Sequence, residues 1–418
     1  MKPLSERSRC VVLVLAIVGC SGGSGGGDGA AVSAVALSAT GQTSCYDAAG
    51  LAVACTGTGQ DGDLLAGAAW PEPRFEDLGD GTVLDTLTGL VWLADANCIA
   101  SEYPEADADG TAGDGAVTWE HALAFVRDIN VGTYPECGAG HADWRLPNVT
   151  ELESLVDAEQ AFPNLALGDV GFLNVETSLY WSSTTQASGT DYAWDALLAY
   201  GGLGVNDKVD SPHAVWPVRT ASALGGTVVL PATGQTSCFD AVGAIVDCIG
   251  TGQDGDLRAG AVWPAVRFAA GGDGTVTDAL TGLVWLDDAN CIASAYPGAD
   301  TDGTAGDGAV TWEHALAFVR EINAGTYPAC GGGQADWRLP NRRELRSLID
   351  YDESFPALPA GHPFRNVRID YYWTSTTKPS TPEYAWFVFF MNGLLHPDLK
   401  SGDNYLWPVR GGAGASGE

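Results

Sequence analysis

The sequence predicts an α+β fold present twice in tandem. Each copy is expected to hold two short helices, a small twisted antiparallel sheet and long loops. Three observations predict it. The chain repeats itself: Ala39–Cys45 (ATGQTSC) recurs as Ala232–Cys238, and Thr111–Arg127 is identical to Thr304–Arg320. Only two segments per copy carry the 3.6-residue apolar period of a helix, and both are short. Between them, runs rich in Val, Leu, Trp and Tyr are cut by turn residues, with 55 Gly among 418 residues, as in short strands.

The elements follow in order. Asp80-Gly81 marks a turn into a strand at Thr82-Val83-Leu84, and Thr88-Gly89 turns into Leu90–Leu93. Copy two repeats this at Asp273–Val276 and Leu283–Leu286. Thr118 is placed to cap a helix from Trp119 to about Ile129, since its hydroxyl can accept an orphan backbone N–H. Trp119, Ala122, Leu123, Val126 and Ile129 share one face of that helix, whose twin is Trp312–Ile322. Pro147 biases Leu146 away from helix, so the second helix starts after Asn148. Asn148 as N-cap with Glu151 three residues on makes a capping box, repeated by Asn341 and Glu344. Strands are expected at Tyr180–Thr184, Tyr192–Ala199 and Ala214–Arg219, and at Tyr372–Thr376, Tyr384–Phe390 and Tyr405–Arg410. The segments that differ between copies, 185–191, 201–213, 357–370 and 391–404, read as loops suited to ligand contacts.

A repeat of about 190 residues has the size of a domain, not of a solenoid unit. The expected organisation is a signal peptide over 1–20, a Gly/Ser-rich tether over 21–36, copy one over 37–220, a linker over 221–227, copy two over 228–411 and a tail over 412–418. Lys2, Arg7 and Arg9 precede an apolar run from Cys10 to Val18 that is too short to span a bilayer. The run ends Val18-Gly19-Cys20-Ser21, which resembles a bacterial lipobox with Cys20 as the lipidated residue. The expectation is therefore an outer-membrane lipoprotein, palmitate included, at the periplasmic or cell-surface face.

Eight cysteines follow Cys20: 45, 55, 98 and 137, and 238, 248, 291 and 330. Four cysteines per copy allow three pairings. The expected one is local, Cys45–Cys55 with Cys98–Cys137, and Cys238–Cys248 with Cys291–Cys330, as suits an oxidising compartment. The absence of any Cys-x-x-Cys counts against a zinc ribbon.

Six motifs run in the same order in both copies: DGTV leading to TGLVW, the Trp-led helix, DWRLPN, YWSST or YWTST, YAW and WPVR. This set resembles the Lcl C-terminal domain family, also called DUF1566. The resemblance implies a fold similar to C-type lectins and formylglycine-generating-enzyme relatives, an extracytoplasmic location and, from the adhesin that names the family, polysaccharide binding. Sulfated polysaccharide would need a basic surface, yet the chain has 20 Lys plus Arg against 53 Asp plus Glu, net −33. The same charge excludes a nucleic-acid binder.

Candidate chemistry is sparse. Trp144, Arg145, Asn148 and Glu151, with Trp337, Arg338, Asn341 and Glu344, read as structural, the arginine tied to a carboxylate at the turn into the helix. His121 and His314 are the only histidines at matching positions, and no second histidine stands near either in sequence. No G-x-S-x-G elbow occurs. Calcium is the one cofactor suggested: Asp107, Asp109 and Asp114 recur as Asp300, Asp302 and Asp307, carboxylates two apart beside a glycine turn. Asp61-Gly-Asp63 and Asp254-Gly-Asp256 are weaker candidates of the same kind. The expected function is a non-enzymatic envelope or surface binding module for glycan or matrix. The alternative is a structural or assembly component of the envelope with a protein partner, and the least favoured reading is an enzyme related to the formylglycine-generating fold.

Overall fold

The computed structural model describes residues 34–107, 111, 113–220, 225–301 and 303–412. Copy one opens with an arm whose hairpin is β1 (Cys45–Tyr46) and β2 (Ala52–Val53). A four-stranded antiparallel sheet follows, β3 (Phe75–Asp77), β4 (Thr82–Asp85) and β5 (Leu90–Leu93), closed by the last strand of the copy, β9 (Val218–Thr220). Between them come β6 (Leu179–Thr185), β7 (Tyr192–Leu197) and β8 (Gly202–Asp207). Copy two repeats the plan as β10 (Cys238–Phe239), β11 (Ile245–Val246), β12 (Phe268–Ala270), β13 (Thr275–Asp278), β14 (Leu283–Leu286), β15 (Tyr371–Thr377), β16 (Tyr384–Phe389), β17 (Leu394–Leu399) and β18 (Val409–Gly411). The fold is α+β and duplicated.

The long helices span Trp119–Asn130 and Trp312–Asn323, and each buries its Trp, Leu, Phe, Val and Ile face. Both capping boxes form: Asn148 accepts from the Glu151 amide while Glu151 accepts from the Asn148 amide, and Asn341 and Glu344 do likewise. The expectation of two helices per copy is corrected, because one-turn helices also form at Asp61–Leu64, Cys98–Glu102, Pro135–Gly138 and Pro163–Gly168. Such turns have too few residues to show a period and are held by tertiary contacts. The expected strands at Ala214–Arg219 and Tyr405–Arg410 are shorter than read, since Pro217 and Pro408 remove a ladder donor and only β9 and β18 pair regularly.

A larger difference concerns two segments read as loops. Residues within 201–213 and 391–404 form β8 and β17, and these two strands pair with each other through Leu203 and Leu395. The pairing joins three strands of each copy into one six-stranded antiparallel sheet, ordered β15-β16-β17-β8-β7-β6. Leu203 and Leu395 are equivalent residues, so a pseudo-twofold axis passes through the seam.

Each arm then crosses to the other copy. Gln42 meets the backbone of Thr377 with both ends of its amide, accepting from the N–H at 2.9 Å and donating to the carbonyl at 2.8 Å. Gln235 does the same to Thr185 at 2.9 and 2.8 Å. The buried Asp61 carboxylate accepts from Thr40 and from Thr376 of the opposite copy at 2.7 and 2.6 Å. Asp254 accepts from Thr233 and from Thr184 across the seam, both at 2.7 Å. The recurrent ATGQTSC segment is thus the clasp of an exchanged arm. Its glycine is required at Gly41, where φ is +93° and a Cβ would lie 2.3 Å from the Asp157 carboxylate.

Two buried lysines hold the arms down. Lys208 donates to the carbonyls of Thr190 and Asp240 at 2.8 and 3.3 Å and sits 4.1 Å over the Trp119 ring. Lys400 donates to those of Tyr46 and Asp47 at 3.1 and 3.2 Å, 4.1 Å over Trp312. Disulfides join Cys45–Cys55, Cys98–Cys137, Cys238–Cys248 and Cys291–Cys330.

Candidate functional site

The residues singled out by sequence fall into separate places. Arg145 donates to both oxygens of Glu151 at 2.5 Å, and Arg338 to those of Glu344 at 2.5 and 2.6 Å. Each guanidinium therefore fastens the carboxylate that caps its helix. Trp144 and Trp337 are buried, their indoles donating to Gly138 and Gly331 at 2.9 Å. His121 and His314 are half-buried on the long helices.

Asp107 accepts from the amides of Gly113 and Gly115 at 3.0 and 2.8 Å, and Asp300 from those of Gly306 and Gly308 at 3.0 and 2.7 Å. Asp114 and Asp307 turn back to the amides of Ala116 and Ala309 at 2.9 Å. One oxygen of each carboxylate is therefore spent on loop structure. Asp109 and Asp302 lie outside the described residues, as does Cys20. Among the described residues no group of three or more His, Cys, Asp or Glu is arranged to hold a metal ion. Asp61 and Asp254 belong to the arm clasps, and burial pushes both carboxyls up to about 6 despite the hydroxyls that donate to them.

On the helix side of the seam the copies differ sharply. Copy two carries Arg342, Arg343 and Arg346 where copy one has Val149, Thr150 and Glu153. All three arginines are buried. Glu153 pairs with Arg342 at 3.4 Å and with Arg346 more closely. Arg342 also donates to the Gly201 carbonyl at 2.5 Å and lies 4.5 Å from the Trp386 ring. Arg343 is spent on Ser38 and on the carbonyls of Ala39, Ser154 and Val156. Burial pushes Arg342 and Arg343 down to about 10.

On the sheet the seam opens into a groove of about 870 Å³, part of it open to solvent. The register sets its walls. Leu197 stands opposite both Leu179 and Gly202, Asp195 opposite Gly204, Phe389 opposite Leu394 and Phe387 opposite His396. The copy-one wall is low because two positions have no side chain. A Cβ on Gly204 would lie 3.1 Å from Asp195 Oδ1, and one on Gly202 would lie 3.8 Å from the Trp386 ring. Asp195 is fully buried: Oδ2 accepts from Asn206 at 2.8 Å, and His213 Nε2 stands 3.7 Å away. Asp195 Oδ1 and the Trp386 indole N–H are both buried without a hydrogen-bond partner among the described residues. Burial pushes Asp195 up to about 7 and His213 down to about 4.

Sequence reading marked the segments 201–213 and 391–404 but not these residues. The available signal was the alternation in Gly202-Leu203-Gly204-Val205, which places two glycines on one face of a strand. Recognising their role needed the partner strand, which comes from the other copy.

The model of the Lcl C-terminal domain matches residues 81–219 and again residues 274–410. No curated protein matches the chain.

Proposed function

The chain belongs to the Lcl C-terminal domain family, in two tandem copies, and from that premise we propose that it is a binding module of the bacterial envelope or cell surface whose ligand is a glycan or matrix component. Lcl C-terminal domains are non-enzymatic, and this chain is a non-enzymatic module. The groove at the seam carries the reading, because a concave, largely apolar site with a few fixed polar groups is what a small-molecule or chain-end ligand requires. The C-type-lectin-like character of each copy belongs to the same reading. It is supported by paired short sheets, long disulfide-stapled loops and the pairing of the last strand of the copy, β9, back onto β5.

The proposal places the module outside the cytoplasm on a lipid attached to Cys20. Four disulfides favour an oxidising compartment. No described helix is long and apolar enough to cross a membrane. Calcium is proposed at the acidic loops, supported by Asp107 Oδ1 and Asp300 Oδ1, which are buried without partners among the described residues.

A glycan array probed with the full chain tests the reading, with and without EDTA. Saturable binding to a defined glycan supports it, and binding lost with EDTA supports calcium. A blank array together with one stable envelope protein in pull-downs replaces it with the assembly role. Unchanged binding and melting temperature in EDTA removes calcium.

A further inference from the structure

We infer that the seam is a complete recognition surface between copies, one that needs no linker and that accepts only a one–two pair. The partner it fits, besides the other half of its own chain, is the opposite copy of a second chain.

The contacts across the seam are reciprocal, as in a closed twofold dimer, where each pair of residues recurs with the units exchanged. The Ala48 amide donates to Glu313 at 3.1 Å, and the Ala241 amide to Glu120 at 3.3 Å. Asn341 donates to the Ala66 carbonyl at 3.1 Å, and Asn148 to that of Ala259 at 3.2 Å. Arg320 donates to the Thr58 carbonyl at 3.1 Å, and Arg127 to that of Thr251 at 3.4 Å. Two junctions show what the linker contributes. In copy one, Thr220 pairs with Leu90, and after the linker the Val228 amide donates to the Leu87 carbonyl at 2.8 Å. In copy two, Gly411 pairs with Leu283, and the Val35 amide donates to the Leu280 carbonyl, again at 2.8 Å. These are equivalent residues, yet Gly411 and Val35 are not joined. The same contacts form with and without a covalent connection, so the linker does not create the arrangement. The four disulfides each lie within one copy and do not tie the copies together.

Selectivity comes from the pseudo-axis on the helix side. Glu153 and Arg346 hold equivalent positions, 193 residues apart, and meet there as an ion pair. A one–one pair would set two Glu153 carboxylates against each other. A two–two pair would do the same with two Arg346 guanidinium groups, each beside its own Arg342 and Arg343. Arg346 is 4% exposed and Glu153 5%, so either like-charged pair would be buried without a counter-charge. A buried charge left unpaired in this way is strongly destabilising. Only the one–two pair satisfies both groups. Within one chain the copies meet at high effective concentration, which favours pairing in cis. Once the linker is cut, the opposite copy of a second chain competes on equal terms.

The test cuts the full chain. A protease site inserted after Ser222 is cleaved, and the product is followed by gel filtration with light scattering at micromolar concentration. The halves are expected to stay together at the mass of the uncut chain, and halves that separate overturn the inference. Cleaved chains of natural and heavy isotopic composition are then mixed, unfolded in urea with their disulfides intact, refolded and weighed by native mass spectrometry. Heavy and light halves are expected to exchange freely, and only as one–two pairs. One–one or two–two pairs in comparable amount overturn the selectivity. Glu153→Arg is expected to weaken association of the cut halves at least about tenfold, about 1.4 kcal/mol or more. Adding Arg346→Glu is expected to recover most of that loss. An unchanged affinity in Glu153→Arg removes the axis pair as the selecting contact. If the cut chain precipitates, a permuted chain decides, with Gly411 joined to Val35 through a copy of residues 221–227 and new ends at Thr220 and Gly225. One melting transition near that of the parent supports the inference. Two separate transitions, or failure to fold, overturn it.

Discussion

The two halves of the seam are built from one sequence plan and do opposite things. Where they agree, they hold the molecule together: Gln42 and Gln235, and Asp61 and Asp254, make the same contacts in each direction, and Lys208 and Lys400 each donate to the equivalent arm carbonyls of Asp240 and Asp47. Where they differ, they make the pairing directional and open a groove. Two buried arginines of copy two, Arg342 and Arg346, pair with Glu153 of copy one beside the buried Arg343, so two copy-two units would bring six arginines together without that glutamate. Opposite the helices, glycines on one strand and aromatic and His side chains across the seam leave an asymmetric groove. Duplication supplied the clasp, and divergence at a few positions supplied specificity.

The comparison is broken most severely at Glu153. Glu153→Arg adds a fourth buried cation and is expected to cost about 3–5 kcal/mol, read as a fall in urea midpoint. Combining it with Arg346→Glu is expected to recover much of the loss. A single variant as stable as the parent would show that the arginines are neutralised by something other than Glu153.

A pH series sharpens the comparison next. Asp61 and Asp254 have folded-state carboxyls raised to about 6, and Asp195 to about 7. Through these three carboxyls the folded chain binds more protons than the unfolded one between about pH 4 and 7, so their contribution to stability is greatest at the acid end and falls as pH rises through that window, while His213, lowered to about 4, acts with the opposite sign. A two-unit rise corresponds to on the order of 3 kcal/mol per group. Asp61→Asn and Asp254→Asn are expected to flatten the curve equally below pH 6, and Asp195→Asn alone to flatten its upper part. A melting temperature that climbs steadily from pH 4 to 7 contradicts the burial of these acids.

The smallest effects should be the symmetric ones. Lys208→Met and Lys400→Met each remove two carbonyl contacts and a stacked cation, and each is expected to cost about 1–2 kcal/mol. Unequal losses would show that one arm is held more tightly than the other.

Much of this was legible in residue order. The capping boxes at Asn148 and Asn341 and the long helices from Trp119 and Trp312 depend on neighbours within one turn, so local pattern suffices to find them. The repeat, the α+β class and the family motifs likewise lie in plain sequence. The clasp was legible only as a recurrence, because Gln42 and Asp61 find partners more than 300 residues away at Thr377 and Thr376. Asp61 therefore read as a cation ligand when its partners are hydroxyls.

The sequence by itself determined two copies, their helices, their short strands and a strongly acidic chain, since periodicity, caps and turn residues act over a few positions. Only the tertiary structure decided that the arms cross, that β8 and β17 are strands and not loops, and that a groove opens between them. A strand of mixed Gly and polar residues has no signature until another edge pairs with it, and here that edge belongs to the other copy.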